Sequence, residues 1–112
     1  MMEDFESRIE AQRKPITGVK FDKDKPDWSL LPLDVMEEVV QVLTLGNTKY
    51  SRDNWKHLGD AENRHFAAMM RHVSTWQSGD KLDKETGLSH LSHAMCNLIF
   101  LLWGEQNESR IA

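Results

Sequence analysis

The sequence is poor in the residues that staple a chain, carry it across a membrane or grip a polyanion. Its single cysteine, Cys96, cannot close a disulfide within the chain and fits a reducing compartment. Set in an apolar run, Cys96 reads as packing rather than as a nucleophile. There is no basic excess: 14 Lys and Arg stand against 18 Asp and Glu, for a net charge of -4. That balance argues against a nucleic-acid grip and leaves small, locally held phosphates as the anions to expect. The longest apolar stretch, about Met95 to Trp103, falls far short of the roughly 20 residues that span a bilayer. Met1 to Arg13 is charged and lacks the apolar segment of a signal peptide. A soluble, cytoplasmic protein is therefore expected. Also missing are a Gly-rich phosphate loop with its lysine, a His-Asp dipeptide, an HExxH pair and a serine elbow. Their absence excludes P-loop enzymes, HD-type phosphohydrolases, zincins and the common esterases.

With 112 residues of which 39% are hydrophobic, the chain can form one domain around one modest core. Residues 1–27 read as an arm: Glu3 to Gln12 can form a short helix that Pro15 and Gly18 end, and charges alternate from Lys20 to Pro26. Ser29 or Leu31 with Pro32 marks the start of a helix running to about Leu45, where Gly46 and Asn47 stop it. Its apolar stripe is Leu33, Met36, Val39, Val40 and Leu43. Gly46 to Gly59 reads as a loop. Asp60 can cap a second helix, about Ala61 to Gln77, with Phe66, Met69, Met70, Val73 and Trp76 toward the core and Ser78, Gly79 and Asp80 at its end. A polar connection, Lys81 to Thr86, leads through Gly87 to a third and most apolar helix ending near Glu105. No repeat and no alternating strand pattern appears, so the class is all-α, with the helical domain at 28–107 and a tail at 108–112. Three helices cannot easily cover a helix that is apolar on every side, so homo-oligomerisation is expected to complete the burial.

Candidate chemistry sits in two places. On the third helix His90, His93 and Asn97 stack on one strip at roughly 100° per residue, in a segment otherwise apolar nearly all round. They form either a satisfied core network or one wall of a cleft. On the first helix Asp34, Glu37, Glu38 and Gln41 share one arc. Carboxylates so placed can hold Mg²⁺ or Mn²⁺, while an acidic stripe can equally be a solvated face. Arg64 and Arg71 on the second helix, and Lys49, Arg52 and Lys56 in the loop, suit phosphate oxygens or a solvated edge. Tyr50 or Trp55 can stack on a base or simply pack. His65 and His72, flanking the apolar stripe of the second helix, read as boundary packing.

Taken together, Lys20-Phe-Asp, Trp28-Ser-Leu-Leu-Pro, Glu37-Glu-Val, Gly46-Asn-Thr-Lys-Tyr, Asn54-Trp, Arg71-His and Gly87-Leu-Ser-His-Leu-Ser-His-Ala-Met-Cys-Asn are similar to a phage-associated family. This is the dATP/dGTP diphosphohydrolase N-terminal domain family, related to the MazZ enzymes and to the all-α MazG-like nucleotide pyrophosphatases. The resemblance spans about Gly18 to Leu102. It implies a MazG-like helical oligomer, dimer or tetramer, acting in a phage-infected or prophage-carrying bacterial cell. The implied reaction is hydrolysis of a purine deoxynucleoside triphosphate, dGTP or dATP, to monophosphate and pyrophosphate with Mg²⁺ or Mn²⁺. The implied metal ligands are Asp34, Glu37, Glu38 and Asn97, the catalytic groups Glu37, Glu38, His93 and Asn97, and the substrate contacts Lys49, Arg52, Trp55, Lys56, Arg64, Arg71 and His90. The chain departs from the wider group's acidic motifs, with Gln41 in place of the last glutamate of the first and Ala94 and Asn97 at the acidic places of the second. A non-catalytic nucleotide-binding or sequestering protein is the alternative.

Overall fold

A computed structural model of the chain describes residues 18–111, with side chains through 108. The chain divides after Leu30 into two units. The expected helix at Glu3 to Gln12 lies outside the described residues. In the first unit Asp22 and Lys25 close a turn through Lys25 N–H to the Asp22 carbonyl. A single 3-10 turn, Trp28–Leu30, follows, and the Asp27 carboxylate accepts from the Ser29 N–H and hydroxyl.

The second unit is built from three helices: α1 (Leu33–Lys49), α2 (Ala61–Gln77) and α3 (His90–Ile111), with a 3-10 turn at Asn54–His57. Among the described residues there is no strand, only an isolated antiparallel bridge between Leu82 and Ser89. No described helix is long and apolar enough to cross a membrane.

Pro32 opens α1 as the sequence suggests, its carbonyl accepting from the N–H groups of Val35 and Met36. The helix does not stop at Gly46. A helical glycine costs only about 1 kcal/mol, and neither a proline nor a left-handed residue follows it until the chain turns extended at Tyr50. Asp60 does precede α2, but in a left-handed conformation (φ 54°). Its carboxylate bonds the Asn63 side chain at 3.0 Å instead of a backbone N–H. Gly79, at φ 109°, ends α2 where a side chain would be strained. Helix α3 begins at His90 and continues through residues expected as a tail, to Ile111.

The core lies where α1 meets α3: Val39 is 1% exposed, Val42 and Cys96 are buried with it, and Met36, Leu43, Leu88, Met95 and Phe100 pack around them. The Cys96 thiol faces the Val39 carbonyl at 3.5 Å, so its packing role stands. Two expected stripes are rotated. On α1, Leu33 and Val40 are exposed and Val42 takes a core place. On α2 the inward edge is His65 and His72, while Phe66 (52% exposed), Met70 and Val73 stay at the surface. Helix α3 leaves Leu91, Leu98 and Leu102 exposed, a single stripe within roughly 40° of arc at 100° per residue. Periodicity tells which residues share a face. It does not tell which face a neighbouring helix will cover.

Candidate functional site

The segment Lys81 to His90 folds back on itself between α2 and α3. Asp83 N–H bonds the Leu88 carbonyl (2.8 Å), Gly87 N–H the Asp83 carbonyl (2.7 Å) and His90 N–H the Lys81 carbonyl (3.0 Å). Gly87 makes this return possible with φ 75°, a conformation that side chains rarely tolerate. Asp83 Oδ1 sits at the root of the turn, accepting from the N–H groups of Glu85 and Thr86, each at 3.0 Å, and from the Thr86 hydroxyl at 3.3 Å. Burial alone would raise the Asp83 carboxyl. Those bonds together with the His93 imidazole more than offset it and hold the group below the usual carboxylate range.

Three imidazoles meet this carboxylate. His72 of α2 and His90 of α3 face each other, Nδ1 to Nδ1, at 2.9 Å. The His93 ring stacks on His72 with centroids 4.7 Å apart and planes 15° from parallel. His93 Nε2 is 2.7 Å from the Thr86 hydroxyl and 3.8 Å from Asp83 Oδ1. Asn97 Nδ2 donates to the His93 carbonyl at 3.1 Å. Burial pushes the His72 and His93 imidazoles below their ordinary value, so both are neutral at pH 7. At His72 the nearby His93, His90 and Arg71 add to that effect, and at both rings Asp83 opposes it. His90 is buried, and its Nε2 has no hydrogen-bond partner. The second histidine of α2, His65, has a different setting: it is buried against Phe100 (centroids 5.0 Å) with Nε2 3.3 Å from the Trp55 carbonyl.

Along α2, Arg64 and Arg71 line an open groove of about 500 Å³ with His65, Ala67 and Ala68, together with Leu58, Asp60 and Asn63. Residues three, four and seven apart lie on one helical face, which is why both arginines reach the same groove. Arg71 precedes His72 in the chain, and its charge is felt at that ring.

The loop residues are less concentrated. Lys49 pairs with Glu85 at 2.8 Å and Arg52 is exposed. Trp55 is spent on packing, stacked on Phe100 at 4.5 Å and edge-on to Trp103 at 5.3 Å, with the Lys56 ammonium over both indoles. A ring sandwiched this way has no free face to give to a base from its Phe100 side.

The acids of α1 do not gather. Asp34 and Glu37 are exposed, and Glu38 Oε1 accepts from Ser89 N–H at 2.6 Å, placing a negative charge at the start of α3 where the helix dipole favours it. Among the described residues the set of three acidic, His or Cys side chains whose ligand atoms converge is His72, Asp83 and His90, all within 4.8 Å of one another. Asp34, Glu37 and Glu38 do not form such a set of three converging ligand atoms. His72 and Asp83 are the members that pattern reading passed over. Asp83 carried a usable signal: an Asp followed by Thr86 and Gly87 is turn chemistry that fixes a carboxylate next to a helix start.

These features define a class: a small all-helical domain with an arginine-lined groove along α2 and an imidazole–carboxylate cluster between α2 and α3. The chain belongs to the family described as dATP/dGTP diphosphohydrolase, N-terminal, whose profile matches residues 15–112. It is similar to a protein of Salmonella phage PMBT28 named dATP/dGTP diphosphohydrolase, 41% identical over 88 residues that make up 79% of this chain and 30% of the relative. The chain thus spans about a third of the length of that relative. No solved structure matches it.

Proposed function

We propose that the chain binds purine deoxynucleoside triphosphates, dGTP or dATP, and takes part in their hydrolysis to monophosphate and pyrophosphate, with Mg²⁺ or Mn²⁺ accompanying the triphosphate. The observation that carries this reading is the α2 groove, in which Arg64 and Arg71 stand one above the other. Its volume is in the range of small-molecule sites, and guanidinium forks match phosphate oxygens two at a time. Water attacks the α-phosphorus, the bond to the bridging oxygen breaks and pyrophosphate leaves. The two arginines hold and neutralise the departing phosphates. His93, whose Nε2 is engaged by Thr86, acts by positioning its neighbours. The name of the phage relative is in line with this substrate class, and the expected place of action is the cytoplasm of a phage-infected or prophage-carrying cell.

A second reading has its own support. The carboxylates of α1 do not converge, and the relative has more than twice as much chain again beyond the matched part. On that reading this domain binds the nucleotide without turning it over. Incubation with each dNTP and Mg²⁺ or Mn²⁺, followed by chromatography for monophosphate and pyrophosphate, separates the two. Release of both from dGTP or dATP, weakened in KM about 10–100-fold by Arg71→Ala, supports hydrolysis. Tight binding without release supports the second reading, and absence of both refutes the proposal. A homo-oligomer, dimer or tetramer, belongs to either reading, because Leu91, Leu98 and Leu102 of α3 and Phe66, Met70 and Val73 of α2 are left exposed; light scattering after size exclusion tests it.

A further inference from the structure

The geometry points to a binding site for a zinc-class divalent ion formed by His72, His90 and Asp83, separate from the nucleotide groove and from the acids of α1. Three kinds of observation converge on it. The ligand atoms of these residues already lie within 4.8 Å of one another, with the two Nδ1 atoms 2.9 Å apart. A tetrahedral ion bound at about 2.0–2.1 Å holds two imidazole nitrogens about 3.3 Å apart, so the rings need to separate by only a few tenths of an ångström. The three side chains come from α2, from α3 and from the turn between them, so an ion here would tie together all the elements that form the seam.

The two imidazoles meet Nδ1 to Nδ1 at 2.9 Å, so the atoms that would coordinate an ion already turn to one point between α2 and α3. The surroundings have the form of an outer coordination shell. Asp83 is fixed by the N–H groups of Glu85 and Thr86, and the His72 ring is held flat by stacking on His93. His93 in turn is anchored by the Thr86 hydroxyl. Two imidazoles and one carboxylate select a borderline ion such as Zn²⁺ over Mg²⁺, which takes oxygen ligands and keeps its waters.

The test uses the whole chain, stripped with EDTA and titrated with Co²⁺ and then Zn²⁺ with no nucleotide present. One Co²⁺ per chain with visible d–d absorption, displaced by one Zn²⁺ and untouched by excess Mg²⁺, is expected. Asp83→Asn and His72→Gln should each lower Zn²⁺ affinity by more than about 100-fold and Thr86→Val by about tenfold, while Asp34→Asn with Glu37→Gln leaves it unchanged. Far-UV circular dichroism confirms that each variant is folded, and the wild-type Co²⁺ spectrum decides the matter if one is not. No d–d absorption in the wild type, or Co²⁺ binding lost on changing Asp34 and Glu37 but kept in Asp83→Asn and His72→Gln, overturns the assignment.

Discussion

Helix α3 is approached from two sides in opposite chemical terms. From α1 it meets aliphatic side chains, Val39 and Val42 against Cys96 with Met36 and Leu43 beside them. From α2 it meets rings with nitrogen in them, His65 on Phe100 and His72 between His90 and His93. The first seam gains from apolar burial and dispersion and asks nothing of its neighbours but shape. The second has to desolvate polar groups, and returns part of that cost only through hydrogen bonds it makes incompletely. One helix thus carries both, with an aliphatic seam on one flank and a polar, ring-lined seam on the other.

The comparison breaks most sharply at Val39. A carboxylate in its place, Val39→Asp, has no water and no partner, and should cost more than about 4 kcal/mol, seen as loss of the urea unfolding transition. The corresponding lesion in the polar seam is milder and has a distinctive form. His72→Phe alone should cost about 1–3 kcal/mol, since it strands His90 Nδ1, whereas His72→Phe with His90→Phe should cost less than the single change, because no polar atom of that pair remains to be satisfied. Urea unfolding of the four chains in a double-mutant cycle measures this directly.

Smaller effects sharpen the contrast. Burial pushes the Cys96 thiol from about 9 up to about 11. A raised folded pKa means that this group's contribution is complete below pH 9 and is lost as pH climbs toward 11, since the unfolded chain releases its proton first. At pH 8 the thiol should react with a disulfide reagent at least about 100-fold more slowly in the native chain than in urea. Glu38→Gln keeps an acceptor for Ser89 but removes the charge at the start of α3, and should lower stability by about 0.3–1 kcal/mol, less in high salt. Lys49→Met, which removes an exposed pair with Glu85, should change stability by less than about 1 kcal/mol.

What could be read from residues alone follows the same division. The limits of α2, Ala61 and Gln77, were legible because Asp60 on one side and Ser78 with Gly79 on the other are strong local punctuation. The end of α1 was not, because Gly46 is only a weak breaker and tertiary contacts such as Lys49 with Glu85 come from 36 residues away. His90, His93 and Asn97 stood out as polar groups on an apolar helix, and the structure places the two histidines against His72 of α2 while Asn97 bonds back to the His93 carbonyl. His72 looked like edge packing because the apolar stripe of α2 points elsewhere. Only the presence of α3 decides that the histidine edge turns inward. Asp83 looked like part of a polar connection, and nothing local says that the chain returns through a Leu82–Ser89 bridge to set it beside two helices. The acids of α1 were legible as an arc, but an arc on one helix fixes spacing and not convergence.

If the imidazole–carboxylate seam between α2 and α3, rather than the acidic arc of α1, draws the zinc, X-ray absorption at the zinc edge on the zinc-loaded chain will show outer-shell scattering from two imidazole rings, with nitrogen and oxygen neighbours at about 2.0–2.2 Å. A shell of oxygen alone, with no imidazole signature, would place the ion elsewhere and refute the seam as its site.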